Sequence, residues 1–354
     1  METDVRERLA PVHAPTAPAP LFTIVLATRD RPTLFAQALN SVTLQNFDDT
    51  EIVVVNDGSS SEALAQYAGV LQRARAVLGL RLCAYQLVRR PRGHGQSYSL
   101  NFGAERARGE YLCFLDDDDL WIDPGHLRRA AQVIRHAKEA GRGIDLYMTN
   151  QQAWRQGQVM PGPTWLEGLA GQLVARGRAA DGDGAFAVDV ADLLGSGGFC
   201  HLNCLCVRRE LFLGVGGMDE GIRWECDREI FLRLLDSATH AVHHPAITGK
   251  HHVPDPKLGQ SMTTSLNNLE RRLWQLRVLD KASLLLQNPL LRAHGRLHRG
   301  YTLKRIAEDL AAHQDWHSAS FYAIEGLAAL PTFKWLLFTL SCLARRLVNP
   351  GKFA

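Results

Sequence analysis

The sequence predicts an α/β protein, a mostly parallel sheet flanked by helices, followed by a helical extension. Three observations carry that reading. Short apolar runs alternate with amphipathic stretches through the first half of the chain. The two clearest runs, Phe22 to Ala27 and Glu51 to Val55, enclose a stretch of helical period. From Ser265 onward the pattern is helical to the end. A chain of 354 residues is long enough for one large core and an appendage.

Residues 1–20 are charged at first and then alternate Pro with Ala, without the apolar centre that a secretory signal needs. They read as a disordered lead-in. The main domain is expected over 21–256 and the helical extension over 257–354. Between the first two strands Pro32 suits a first helical position, and Leu34, Phe35, Ala38, Leu39 and Val42 recur at helical spacing as one buried face. The alternation continues with strands at Arg81 to Val88, Tyr111 to Leu115 and Ile144 to Thr149, and helices at Gln96 to Arg108 and Asp123 to Ala140. From Gln151 to Gly198 the period lapses in a Gly-rich stretch with Trp154 and Trp165, which reads as a long loop or lid. A strand at His201 to Val207, a helix near Asp227 to Leu235 and a last strand at Ala241 to Thr248 complete the domain. The apolar run Trp335 to Leu343, bounded by Lys334 and Arg345-Arg346, is too short to cross a bilayer. It suits either a core or a membrane surface, so peripheral membrane contact through the C-terminal helices stays open.

With 46% hydrophobic residues, 22% charged and a net charge of +3, the chain has no signature of a nucleic-acid binder. Its seven cysteines lie mostly in apolar runs, which fits buried free thiols and a reducing, cytoplasmic setting.

The strongest chemical signal is Asp116-Asp117-Asp118-Asp119 directly after an apolar strand. Carboxylates so close must be separated, solvated, protonated or neutralised by a cation. Alternation along an extended chain sets Asp116 and Asp118 on one side, Asp117 and Asp119 on the other. Oxygen ligands at that spacing suit Mn²⁺ or Mg²⁺ bridging to phosphates, while a solvated turn capping the helix near Pro124 is the plainer reading. Two other strand ends carry polar groups. Thr28-Arg29-Asp30-Arg31 could line a base and phosphate pocket, and Asp57 could accept a hydrogen bond from a base ring N–H. Ligands of open α/β sheets bind at such carboxyl ends.

Thr28 to Pro32, Val54 to Ser59, Leu100 to Tyr111 and Phe114 to Asp119 together resemble the donor half of the family 2 glycosyltransferases, over about Phe22 to Ala140. The resemblance implies a GT-A fold, with a Rossmann-like sheet, and a sugar moved from a nucleotide-sugar donor, a UDP-sugar first among them, onto a saccharide or lipid-linked saccharide. It implies that Asp57 contacts the base, Asp116 the ribose or metal, Asp117 the donor and Asp118 the metal. The Gly93 to Ser97 loop with Gly95, and the helix from Ser99, would lie near the donor. The segment Gly216 to Glu220 followed by Trp224-Glu-Cys-Asp-Arg-Glu229 resembles the acceptor side, where a carboxylate supplies the catalytic base. Counting back from Arg233-Leu234 favours Asp227, with Glu225 in reserve. In several such enzymes a His after the final strand completes the metal site, which makes His251 and His252 candidates, His243 and His244 less so. Cys204 and Cys206 should share one strand face as buried thiols, and His201 and Asn203 would face the acceptor pocket. The mechanism expected is a single displacement with inversion. A sugar nucleotidyltransferase would share the sheet and carboxylates but need a Gly-rich phosphate loop, and Ala27 to Pro32 holds no glycine. A non-catalytic sugar-nucleotide-binding module is the remaining alternative.

Overall fold

The computed structural model describes residues 5–8, 18–161, 165–253 and 266–348. The chain divides into two units, Met1–Val253 and Pro254–Ala354.

The first unit holds an eleven-stranded sheet, nine strands in the order β1-β4-β3-β2-β5-β10-β7-β11-β6 with β8 paired to β7 and β9 to β11 beside that path. In chain order its elements begin β1 (Val5–Arg8), β2 (Phe22–Thr28), α1 (Pro32–Thr43), β3 (Thr50–Asn56), α2 (Ser61–Leu78), β4 (Leu82–Leu87), α3 (Gln96–Arg106), β5 (Tyr111–Phe114) and β6 (Leu120–Trp121). There follow α4 (His126–Glu139), β7 (Leu146–Arg155), β8 (Gln158–Val159), α5 (Leu169–Ala175), β9 (Phe186–Val188), α6 (Val190–Gly195), β10 (Leu205–Arg208), α7 (Arg209–Gly214), α8 (Cys226–Ser237) and β11 (Ala241–His252).

The expected parallel pairing holds for β4, β3, β2 and β5. Beyond β5 the sheet becomes mixed, because β10 runs antiparallel to both β5 and β7 while β7 and β11 pair in parallel. Residues 5–8 of the expected disordered lead-in form β1, antiparallel on β4. Residues 1–4 and 9–17 of that lead-in lie outside the described residues. The stretch Gln151 to Gly198, expected as a loop or lid, instead extends β7 and adds β8, α5, β9 and α6. Runs of two to seven residues are too short to show a period, so the sequence pattern could not reveal them.

Helix α1 starts at Pro32 and buries Phe35, Ala38, Leu39 and Val42 against the sheet. Burying a side chain of this size is worth about 1.5–3 kcal/mol. Leu34, expected on that face, is exposed. The strands β2 and β3 are buried along almost their whole length, as continuous apolar runs covered by helices on both faces should be.

The second unit contains α9 (Asn268–Leu285), α10 (Pro289–Ala312), α11 (Trp316–Ala329) and α12 (Phe333–Val348). Asn267 and Glu270 close a capping box at the start of α9, and Pro289 opens α10. Ala307, Ala319, Ala323, Trp335 and Cys342 form its buried cluster.

Candidate active site

Sheet register creates the site. Thr28 stands opposite Asn56 and Val25 opposite Phe114, so the chain leaves β2, β3 and β5 at adjacent carboxyl ends. β6 then pairs antiparallel with β11, Leu120 against Lys250 and Trp121 against Gly249. That pairing delivers His251 and His252 to the residue just before β6, which is Asp119.

The four aspartates do not lie on an extended chain. β5 ends at Phe114, and a turn in which the Asp119 amide donates to the Asp116 carbonyl at 3.2 Å reorients the run. The expected split of Asp116 and Asp118 from Asp117 and Asp119 is therefore corrected. Asp116, Asp118 and Asp119 offer ligand oxygens within 4.8 Å of one another, and Asp119, His201 and His251 form a second such group. Asp117 turns the other way, accepting from Thr28 Oγ1 at 2.7 Å and Arg31 Nη1 at 3.1 Å. Arg31 Nη1 also donates to Asp118 Oδ2 at 2.8 Å, so it bridges the two sides of the turn.

Asp119 is the organiser that sequence reasoning missed. It is fully buried and accepts from His251 Nδ1 at 2.7 Å, from the His252 amide at 2.7 Å and from Asn203 Nδ2. The His251 bond fixes the tautomer that leaves Nε2 with its lone pair, as carboxylate partners do for ligating imidazoles. His252 Nδ1 is instead spent on the Asp118 carbonyl. Asn203 also accepts the Asp116 amide at 2.9 Å, and its own carbonyl accepts Trp121 Nε1 at 2.8 Å.

His201, in the turn before β10, stands between the two carboxylate groups. Its Nε2 is 3.2 Å from Asp227 Oδ2 and 3.9 Å from Asp116 Oδ2. Trp165 covers both His201 and His251 edge-on, with ring centroids 6.0 and 5.2 Å away. Asp227 lies in the first turn of α8, where the helix dipole favours a carboxylate. Glu225 precedes it at φ +65°, a left-handed conformation uncommon for a non-glycine residue, and its carboxylate is held by Arg228 Nε at 2.6 Å. Asp227 thus faces the cluster, while Glu225 is tied to its own helix.

The electrostatics follow from crowding. Burial, with the charges of Asp227, Asp119 and Asp118, pushes the Asp116 carboxyl well above the ordinary range against the pull of His201. Burial and Asp119 likewise raise Asp118. Burial pushes Asp117 up to about 6 against Arg31. Asp119 is held below its ordinary value, since His251, His201 and the His252 amide outweigh the effect of burial. Burial would lower His201, but Asp227, Asp116 and Asp119 outweigh it and raise the imidazole to about 9. Carboxylates forced to share protons, beside an imidazole nitrogen and without a thiolate, are a donor set that a hard divalent cation such as Mn²⁺ or Mg²⁺ fits.

On the neighbouring strand end, Asp57 accepts from the amides of His94 at 2.8 Å and Gly95 at 3.0 Å. Arg29 Nη2 donates to the carbonyls of Arg90 at 2.9 Å and Pro91 at 3.2 Å. Together they clamp the loop before α3 over the end of β3. A Cβ on Gly93, at φ +68°, would come 2.1 Å from Arg29 Nη1 and 2.3 Å from Asp57 Oδ2. Gln96, at the start of α3, donates to Asp116 Oδ1 at 2.7 Å and links this clamp to the acidic turn. Ser99, expected near the donor, is instead fully buried on the inner face of α3. Asn101, also on α3, holds the Gly216 to Glu220 segment, accepting the Met218 amide at 2.7 Å and donating to its carbonyl at 2.9 Å.

His243 and His244 are not at this cluster. His243 is buried against Asn150 Oδ1 at 2.9 Å, and burial drops it to about 4. All seven cysteines are buried, and none forms a disulfide. Cys204 ends a 3₁₀ turn, so it does not share a strand face with Cys206, which lies in β10 with its sulfur 3.1 Å from that of Cys113.

Residues 23–186 match the family described as glycosyl transferase family 2. An uncharacterized glycosyltransferase of Nostoc sp. is 28% identical over 158 residues, 44% of this chain and 46% of that protein. The putative glycosyltransferase EpsH of Bacillus subtilis is 30% identical over 137 residues, 38% of this chain and 34% of that one. The chain thus spans less than half the length of these curated relatives. Among solved structures, S. aureus TarS 1-349 in complex with UDP-GlcNAc superposes with a TM-score of 0.62 at 16% identity, covering 88% of this chain and 81% of that one. The mannosyltransferase PcManGT from Pyrobaculum calidifontis, in complex with GDP-Man and Mn²⁺, gives 0.56 at 16% identity over 97% and 90%. These likenesses establish the GT-A fold, a mixed curled sheet flanked by helices and followed by C-terminal helices.

Proposed function

We propose that this chain, a family 2 glycosyl transferase over residues 23–186, is an inverting enzyme that moves a sugar from a nucleotide-sugar donor to a hydroxyl of a saccharide or lipid-linked saccharide. The observation that carries the reading is the array Asp227–His201–Asp116, which sets a helix-start carboxylate against the acidic turn at the end of β5.

In this reading Asp118, Asp116 and the Nε2 of His251 would hold Mn²⁺ or Mg²⁺, with Asp119, which belongs to both ligand groups, orienting the imidazole. A divalent cation there would neutralise the charge that develops on a departing nucleoside diphosphate. Asp57 and Arg29 shape the base pocket by clamping the loop over β3, and Thr28 and Arg31 fix Asp117 and Asp118. Asp227 takes the proton of the acceptor hydroxyl as its oxygen attacks the anomeric carbon, which breaks the bond to the diphosphate with inversion. Solved neighbours are complexes with UDP-GlcNAc and with GDP-Man, which supports a nucleotide-sugar donor; a UDP-sugar is the first to test. The family resemblance makes cell-surface polysaccharide synthesis the setting to test, and buried thiols that form no disulfide support a reducing, cytoplasmic location.

Thermal-shift titration with UDP, GDP, dTDP and CMP, each with and without Mn²⁺, tests the donor half, because a ligand of the native state raises its melting point. One nucleotide should stabilise the chain, and more so with metal. If none does under either condition, the reading is wrong.

A further inference from the structure

Helix α12 has two different faces, and the site above explains neither. Trp335, Thr339 and Cys342 are buried. Trp335 Nε1 and Thr339 Oγ1 both donate to the Ala323 carbonyl, at 2.8 and 3.3 Å, so this face packs on α11. On the opposite side Phe333 is 76% exposed, Leu337 52%, Leu340 53% and Leu347 83%. With Ala344 these positions follow one another at helical spacing as a single outward stripe, with exposed Leu336 and Val348 at its borders. A continuous row of large apolar side chains on one helix face marks a surface that something covers.

The charges beside the stripe select the occupant. α12 contains Lys334, Arg345 and Arg346 and no Asp or Glu. Lys334 and Arg345 lie roughly 100–120° round the helix from the stripe, near opposite ends of it, at about 100° per residue. A second copy packed on the stripe would bring like charges together, with no acidic side chain on the helix to offset them. An anionic lipid surface offers what both features need, an apolar layer for the stripe and phosphates for the cations. Sixteen residues of helix span only about 24 Å, short of the roughly 30 Å bilayer core. No helix among the described residues is long and apolar enough to cross a membrane. The orientation left is in the plane of the surface.

We propose that α12 docks flat on an anionic bilayer, with Phe333, Leu337, Leu340 and Leu347 entering the acyl boundary and Lys334 and Arg345 meeting the headgroup phosphates. The stripe already points outward, so docking requires no rearrangement of the face packed on α11.

Sedimentation of the full chain with phosphatidylcholine vesicles, and with vesicles that also contain phosphatidylglycerol, tests this directly. The chain should sediment with the anionic vesicles, and less as salt screens the headgroups. Leu337→Glu/Leu340→Glu should weaken that binding at least about tenfold, since two carboxylates would replace the buried aliphatic groups. Lys334→Glu/Arg345→Glu should abolish the preference for phosphatidylglycerol. Both double variants change exposed side chains, so an unchanged melting point shows that the fold is intact. Failure of the wild-type chain to bind anionic vesicles, or equal binding by Leu337→Glu/Leu340→Glu, overturns the proposal. A dimer in light scattering that the same variant dissociates, with no vesicle binding, gives the stripe to a second copy instead. Sedimentation needs neither donor nor acceptor, so its outcome is independent of the glycosyl-transfer reading.

Discussion

Replacing Asp227 with Asn is the most informative single change, because it separates proton transfer from donor binding. Asn keeps the size of the side chain and a hydrogen-bond acceptor for His201 Nε2, now 3.2 Å from Oδ2, but cannot accept the acceptor's proton. The side chain is 20% exposed in the first turn of α8, so losing its charge gives up a helix-dipole term of about 0.3–1 kcal/mol and, without metal, part of the stabilisation of the His201 imidazolium that it faces. The catalytic cost is far larger, since loss of a general base lowers rates on the order of 10²–10⁴, or about 2.7–5.5 kcal/mol of barrier at 1.36 kcal/mol per tenfold. The assay is release of nucleoside diphosphate with acceptor present, beside a thermal-shift titration of the donor nucleotide with Mn²⁺. Asp227→Asn should bind the nucleotide as wild type does and turn over at least about a hundredfold more slowly. Glu225→Gln should be milder, because that carboxylate is held by Arg228 and not by the cluster. Normal turnover by Asp227→Asn refutes its assignment as base. If Glu225→Gln alone is inactive, the role belongs to Glu225.

Three further outcomes follow from the geometry. Asp118→Ala should remove the Mn²⁺ dependence of nucleotide stabilisation and leave the melting point of the free chain within a few degrees, since its carboxylate is 30% exposed; an unchanged metal dependence excludes Asp118 from the ion. Gly93→Ala should weaken nucleotide binding, because a Cβ at φ +68° must displace Arg29 or Asp57 and open the clamped loop at a backbone cost of about 1–2 kcal/mol; wild-type nucleotide affinity in that variant would show that the clamp does not shape the base pocket. His201 has a folded pKa of about 9 above its ordinary 6.5, so its contribution to stability is fully present below pH 6.5 and lost as pH rises through about 9. In chelator, without nucleotide, the chain should therefore lose stability across that window, on the order of 3 kcal/mol at most from this group, and His201→Gln should flatten the slope; an identical slope in the variant refutes the raised imidazole.

The site was legible in sequence to the extent that it follows from strand ends. Asp57, Asp116 and Asp118 could be placed at the carboxyl edge because apolar runs mark strands and these residues follow just after them. Asp119 was placed on the wrong side because the four aspartates were read as an extended strand. A signal was present, since Asp is depleted in strands and a run of them favours a turn. Ser99 was expected near the donor, but the helical pattern of Gln96 to Arg108 does not state which of its faces meets the sheet, and Ser99 lies on the buried one. For His201 and Asn203 the sequence offered only a polar pair in an apolar strand-like run, and their partners Asp227, Asp116 and Asp119 are remote in the chain.

What the sequence by itself determined is local. Hydrophobic period decided which stretches became buried strands and helices, and the order of residues placed a run of carboxylates after one strand and Glu225, Asp227 and Glu229 at a helix start beyond Gly216-Gly217. Which of these groups meet was decided by pairing at long range. The register of β11 against β6 brings His251 and the His252 amide onto Asp119, and the insertion of β10 between β5 and β7 brings His201 between Asp116 and Asp227. Neither register has a local signature, because a strand's own residues state which face is buried and not which neighbour it will lie against.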